Sequence, residues 1–286
     1  MDLRNIQKSG NAYYMYLPAA WCRQNNITNN SHVAVDMSSE GSLTISPHAD
    51  KKTAKALALT MQGSSKNVIN KFVVASYLNP VRSFRMQLDK KMSSLDILDH
   101  KKLLAGVEIV EFGDDYVSCE SVITVDDPDV LLKTMIRKML SMIRIMQEGH
   151  LELVNRYEEE IDRSNMMITK SAISSLMFKR SSSLKHIDLF YIALLSKNLE
   201  SIADNLSKLK KEKNLLNNLS ELIGKLLATL ESLDMKSATS FINDTYKIIN
   251  QLKRDDLQHF KVNLDQICEI IADWVITHEI EKQKTI

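Results

Sequence analysis

Beyond Pro128 the chain has no further proline and only two glycines, Gly149 and Gly224. Proline removes a helix hydrogen bond and clashes with the preceding turn, and glycine weakens a helix interior entropically. Their scarcity predicts helices almost throughout residues 128–286, with Asp127-Pro128 as the start. Leu132, Met135, Met139, Met142 and Met146 follow at spacings of three and four, the seam of a helix packed in a bundle. A methionine stripe can serve a soft metal or an adaptable partner, but core packing is the expected role here. Breaks near Gly149, Ser181-Ser182-Ser183, Lys210 to Asn214, Leu233-Asp234 and Arg254-Asp255 divide the zone into six helices. Six helices in two similar halves suggest two three-helix bundles.

The two halves share an echo, NLESIADN at 198–205 and NLDQICEI at 263–270. On a helical wheel Leu199, Ile202 and Leu206 form an apolar stripe, with Ala203 beside it. Glu200 and Asp204 project from its edge about 40° apart. In the second copy Leu264, Ile267 and Ile271 make the stripe. Asp265 and Glu269 take the same flank, Cys268 replaces Ala203, and Asp273 extends the acidic row. Carboxylates four residues apart repel each other, and a bound cation offsets that repulsion. Oxygen-rich sites suit hard divalent metals, and carboxylates between facing helices also hold iron. Glu158 and Asp162, within YEEEID, form another such pair on the preceding helix, positioned to face Glu200 and Asp204 across the bundle. The competing reading is a solvated flank bordering a core stripe. No histidine joins either pair, which argues against a tight zinc site.

The net charge of +1 leaves no global basic field for nucleic acid or membrane, so any basic surface must be local. Cys22, Cys119 and Cys268 are widely separated and are expected to be reduced thiols in a cytoplasmic protein. No apolar run approaches a membrane span, and the start is expected to be neither a signal nor a transit peptide. His100, His150, His186, His259 and His278 are expected at the surface or at helix ends. Lys208, Lys210, Lys211 and Lys213 are expected to form a solvated helix end, with partner or nucleic-acid binding as the alternative.

Residues 1–50 read as short strands and turns. Tyr13 to Leu17 is an expected strand, Pro18 starts a short helix through Trp21 and Cys22, and His32 to Met37 is a second strand. Glu40-Gly41 turns the chain into a returning strand over Ser42 to Ile45. So small a unit exposes too much apolar surface alone, which predicts dimerisation or docking. Residues 51–127 read as a small α/β unit: a helix near Lys66 to Leu78, a strand at Ser83 to Leu88 and a helix near Leu95 to Ala105. Strands from Gly106 to Val110 and from Tyr116 to Val125 pair across Gly113-Asp114-Asp115. No phosphate loop or nucleophile motif occurs in it. The expected fold is therefore multidomain α+β, with units at 1–50, 51–127 and 128–286.

NLESIADN and NLDQICEIIAD resemble the acidic helices of the PhoU family of phosphate-signalling proteins. That resemblance spans residues 128–283 and implies tandem three-helix bundles with a divalent or iron-type metal at the acids. On it Glu200, Asp204, Asp265, Glu269 and Asp273 match motif positions, although the second copy runs Asp-x-x-x-Glu instead of Glu-x-x-x-Asp. RNIQKSGNAYYMYLPAAW through EGSLTISP resembles an AbrB/MazE-type swapped-hairpin domain, which implies a homodimer presenting basic residues to DNA. Departures are Ala19-Ala20 after Leu17-Pro18, where a charged pair is usual, and Ser31-His32 in place of a Gly-Asp turn. The combination is similar to archaeal PhoU-type regulators of phosphate uptake.

Residues 1–55 hold six Lys/Arg (Arg4, Lys8, Arg23, Lys51, Lys52, Lys55) against four acids (Asp2, Asp36, Glu40, Asp50). Arg4, Lys8 and Arg23 are the candidate phosphate contacts, with Asn5 and Asn11 as neutral donors. The leading expectation is a cytoplasmic homodimeric transcriptional regulator, with bundles that sense a metal, phosphate or protein partner. The alternative is a PhoU-like adaptor that binds no DNA and regulates a phosphate transporter ATPase or sensor kinase. Without paired ExxH motifs or a nucleophile constellation, an enzyme is not expected.

Overall fold

The computed structural model describes residues 3–37, 41–47, 56–62, 65–89, 104–113, 115–121, 127–178 and 184–284. The chain is mixed α+β and divides into two compact units, Met1–Thr53 and Ala54–Ile286.

In the first unit β1 (Gln7–Ser9) pairs antiparallel with β2 (Ala12–Tyr14), Ser9 opposite Ala12. Gly10 supplies the positive φ (+61°) that this two-residue turn requires. The strand expected over Tyr13–Leu17 thus begins one residue earlier and ends at Tyr14, because Gly10-Asn11 sets the pairing. Helix α1 (Ala19–Gln24) follows Pro18, and β3 (Ala34–Met37) pairs antiparallel with β4 (Leu43–Ser46). Val35 opposes Ile45 and Met37 opposes Leu43, so these four apolar side chains share one face. None of the described side chains of this unit is buried.

The second unit opens with β5 (Leu57–Met61), a strand not expected above although Leu57, Leu59 and Met61 alternate on its inner face, then α2 (Lys66–Leu78) and β6 (Ser83–Leu88). β5 and β6 are parallel, as a helical crossover requires. β7 (Val107–Phe112) and β8 (Tyr116–Ser121) complete a sheet of order β5-β6-β8-β7. Ile69, Val73 and Tyr77 of α2 pack on Phe84, Met86, Leu88, Val117 and Cys119. The helix expected over Leu95–Ala105 lies outside the described residues up to residue 103. Leu104 is in a bend and Ala105 in a turn before β7.

Six long helices follow: α3 (Pro128–Glu148), α4 (Val154–Phe178), α5 (His186–Leu206), α6 (Lys213–Ser232), α7 (Met235–Gln251) and α8 (Gln258–Lys284). Asp127 Oδ1 caps α3 by accepting from the Asp129 and Val130 N–H groups, each at 3.2 Å. Gly149 ends it at φ +90°. The break expected at Ser181-Ser182-Ser183 lies outside the described residues. The methionine seam is core: Leu132, Met135, Met139 and Met142 are fully buried and Met146 nearly so. Helices α3, α4 and α5 pack on one another, and α7 packs on both α6 and α8. Equivalent helices of the two sets meet, α3 on α6 and α5 on α8. One continuous hydrophobic core runs through all six. The sheet layer joins this bundle through α2 and α4, with Met166 packed into the core beneath the sheet.

Candidate functional site

The α4–α5 contact is built on Ile161 and Ile168 from one helix and Leu199, Ile202 and Ala203 from the other, all buried. Both acidic pairs sit at the edge of that seam. Glu158, Asp162 and Glu200 are half-buried, while Asp204 is exposed. Their electrostatics place them together. Burial first, then the Asp204 and Glu200 charges, push the Asp162 carboxyl up to about 6; Lys197 opposes this and Glu158 adds to it. Glu158 is raised by burial and then by Asp204, and Asp204 by burial and then by Glu200. The nearest relief is Lys197, whose Nζ lies 2.5 Å from Glu200 Oε2. Asp162 Oδ1 is buried with no hydrogen-bond partner.

Three carboxyls raised by burial and by neighbouring acids, beside the Glu200 carboxylate and with one orphaned oxygen, have the donor chemistry of a hard-cation site. Their side chains do not stand in a metal-holding arrangement. Among the described residues no group of three or more His, Cys, Asp or Glu side chains does so.

The second copy is placed differently. Asp265 accepts a hydrogen bond from Tyr246 Oη of α7 at 2.8 Å, and Glu269 and Asp273 are exposed. On α7 a phenol thus meets the α8 acids, where α4 offers a carboxylate pair to α5. Cys268, beneath them, is buried and pushed up to about 11, chiefly by burial, so its thiol stays protonated at neutral pH.

Of the candidate DNA contacts, Arg4, Asn5, Lys8, Asn11 and Arg23 are all exposed. Lys8 lies opposite Tyr13 in the β1–β2 ladder, its Nζ 5.6 Å from the ring centroid, and Asn11 sits in the same hairpin's turn. Arg23 stands in the last turn of α1.

One polar constellation has no signature in the sequence. Asp188, buried in the first turn of α5, accepts from Trp274 Nε1 at 2.8 Å and lies 3.0 Å from His278 Nε2, both on α8. Tyr191 stacks on Trp274 and shares a 3.1 Å hydrogen bond with Thr277. His278 is therefore tied into an interhelix network, although the sequence suggested a surface role. Its partner is 90 residues away, so no local spacing announces it.

Compared with known proteins, the chain matches no family model, no curated protein and no solved structure. No helix among the described residues is long and apolar enough to cross a membrane.

Proposed function

We propose that this chain is a cytoplasmic homodimeric regulator of PhoU type, linked to phosphate homeostasis, that contacts DNA through its N-terminal unit. The observation that carries the reading is the first unit, where no side chain among the described residues is buried. Val35, Met37 and Leu43 are 57%, 79% and 66% exposed and share one face of the β3–β4 hairpin with half-buried Ile45. A unit of this size in which none of the described side chains is buried needs a partner surface to complete a core. A second copy offers the same apolar face, and two-fold pairing is the usual solution. Arg4, Lys8 and Arg23 remain exposed for phosphate contact, with Asn5 and Asn11 as further donors.

In this reading the acids on α4 and α5 form the sensing half. Glu158, Asp162, Glu200 and Asp204 would hold a divalent or iron-type cation only after their side chains turned toward a common point, and the cation would then relieve their mutual repulsion. A cation acts on DNA affinity only if it binds the DNA-competent and DNA-incompetent states unequally. Asp265, Glu269 and Asp273 are a weaker set, because no carboxylate pair on α7 faces them.

Fluorescence-anisotropy titration of duplex DNA across a salt series tests the DNA interface. The Arg4→Ala/Lys8→Ala double variant should bind more weakly. Its slope of log K against log salt should be shallower by about 1 for each phosphate that it no longer neutralises. An unchanged slope removes these residues from the interface. Absence of DNA binding by the parent chain, together with recovery of a transporter ATPase or sensor kinase in pull-down, would replace this reading with the adaptor.

A further inference from the structure

Where the connection after α5 meets the connection between α7 and α8, the surface forms an open concavity of about 400 Å³. It is lined by Ser207, Lys208, Lys210, Lys211 and Arg254. We propose that this is a binding site for an oligophosphate anion, a chain of two or three phosphoryl groups.

Charge is the first argument. The lining holds four cations, and the carboxylates paired with them are Glu212 and Asp256, both on Arg254. Four minus two leaves two uncompensated positive charges on one wall. Lysines at the end of α5 complement its dipole, but a helix end carries only about half a unit of charge. The remainder is like-charge repulsion that a multivalent anion offsets.

Preorganisation is the second. Arg254 is fixed on four sides: Nε donates to Asp256 Oδ1 at 3.0 Å and Nη2 to Asp256 Oδ2 at 2.5 Å. Nη1 donates to Glu212 Oε1 at 2.6 Å and to the Lys208 carbonyl at 3.4 Å. It thereby clamps the α7–α8 connection onto the α5–α6 connection and forms a rigid back wall. Lys208 spends one of its three N–H donors on Asn205 Oδ1 at 2.6 Å and keeps the other two. Among the described residues Lys210 and Lys211 form no salt bridge, and both are exposed. Ser207 adds a hydroxyl. Such a set matches phosphoryl oxygens, which accept several charge-assisted hydrogen bonds at once.

The lining also separates ligand classes. It contains no aromatic or apolar side chain on which a base would stack, so recognition rests on the phosphate chain alone. Free polyphosphate and the tail of a nucleotide share that chemistry.

Isothermal titration of the full chain decides the matter, at about 0.15 M salt so that diffuse attraction is screened. A chelator in the buffer keeps metal-bridged binding at the acids out of the signal. Pyrophosphate and tripolyphosphate should bind saturably, one per chain, and more tightly than inorganic phosphate. The Lys210→Ala/Lys211→Ala variant should lose about tenfold or more in affinity while keeping the parent Tm, because both side chains are exposed. Tighter binding of tripolyphosphate than of ATP assigns the site to the free chain, equal affinity assigns it to an oligophosphate whatever its attachment, and tighter ATP binding overturns recognition by the phosphate chain alone. No saturable binding at millimolar pyrophosphate, or undiminished affinity in the variant, overturns the site. Lysine-dependent DNA binding that pyrophosphate does not displace also overturns it, making this wall a duplex-binding surface. The site stands apart from the proposed DNA interface: Arg4→Ala/Lys8→Ala should leave pyrophosphate binding intact, so either idea can fail without the other.

Discussion

Asp162 shows how one side chain sets a pH dependence. Its carboxyl is pushed up to about 6, first by burial and then by Asp204 and Glu200, against an ordinary value of 3.8. The folded chain thus holds this proton to higher pH than the unfolded chain does. Its contribution to stability is fully present below about 3.8 and is lost as pH rises through about 6. Glu158 and Asp204, also raised, work in the same direction. Glu160, Asp234, Asp244 and Asp256 work in the opposite one. Their carboxyls are held low by hydrogen bonds, chiefly from Lys138, Ser237, Lys225 and Arg254 respectively. The informative quantity is therefore the difference between variant and parent. Asp162→Asn should raise the Tm at pH 7 by about 2–4 °C, and the gain should vanish near pH 4. It should also reduce any stabilisation by added Mn²⁺, since the orphaned Oδ1 would no longer be anionic. A pH-independent difference between the two proteins would refute the assignment of the charge cluster.

At the scale of elements, the sheet layer is held to the bundle through Lys170 of α4. Its Nζ donates to the Tyr77 carbonyl at the end of α2 at 2.6 Å and lies 4.4 Å from the Tyr77 ring centroid. The side chain is 8% exposed, and burial pushes the amine down to about 8. A base with a lowered folded pKa contributes stability that is lost as pH falls through that value, here from about 10.5 to about 8. Lys170→Ala should cost about 2–3 kcal/mol, because the stem no longer packs and the carbonyl is orphaned. Lys170→Met keeps the stem and should cost less. Hydrogen exchange should show α2 losing protection in both variants, and a variant with unaltered α2 protection would break the link between Lys170 and docking.

The elements differ in how far local pattern determined them. Lys66–Leu78 and Ser83–Leu88 are observed with the bounds their periodicity predicts, because a helix stripe and an alternating strand are written in neighbouring residues. Leu57–Met61 alternates as Ser83–Leu88 does, with Leu57, Leu59 and Met61 inward, but so short an apolar run does not separate strand from helix by pattern, and parallel pairing with β6 decides it. Gln7–Ser9 was not legible because QKS carries no apolar alternation, and only its partner makes it a strand. The acidic pairs were legible as i, i+4 spacings on each helix. That α7 answers Asp265 with Tyr246, and that Asp188 reaches Trp274 and His278, depend on helix rotation and tertiary approach, which no single segment encodes.

At the scale of the whole molecule, the two units contrast in how they bury apolar surface. The second has a continuous core through six helices and another beneath its sheet. The first exposes Tyr13 at 69%, Tyr16 at 70% and Met37 at 79%. If its β3–β4 face were solvated in the working protein, replacing an apolar side chain there would change stability by no more than about 0.5 kcal/mol. In a homodimer the same replacement buries a charge at the heart of the interface, at a cost of several kcal/mol for each copy. Val35→Glu and Leu43→Glu should therefore convert a dimer to a monomer in sedimentation velocity, and abolish DNA binding that needs two copies. The second unit should be undisturbed: in a Trp21→Phe background Trp274 fluorescence should be unchanged, because its hydrogen bond to Asp188 and its stack on Tyr191 lie wholly within that unit. A parent chain that sediments as a monomer, or variants that remain dimeric, would locate the assembly surface elsewhere.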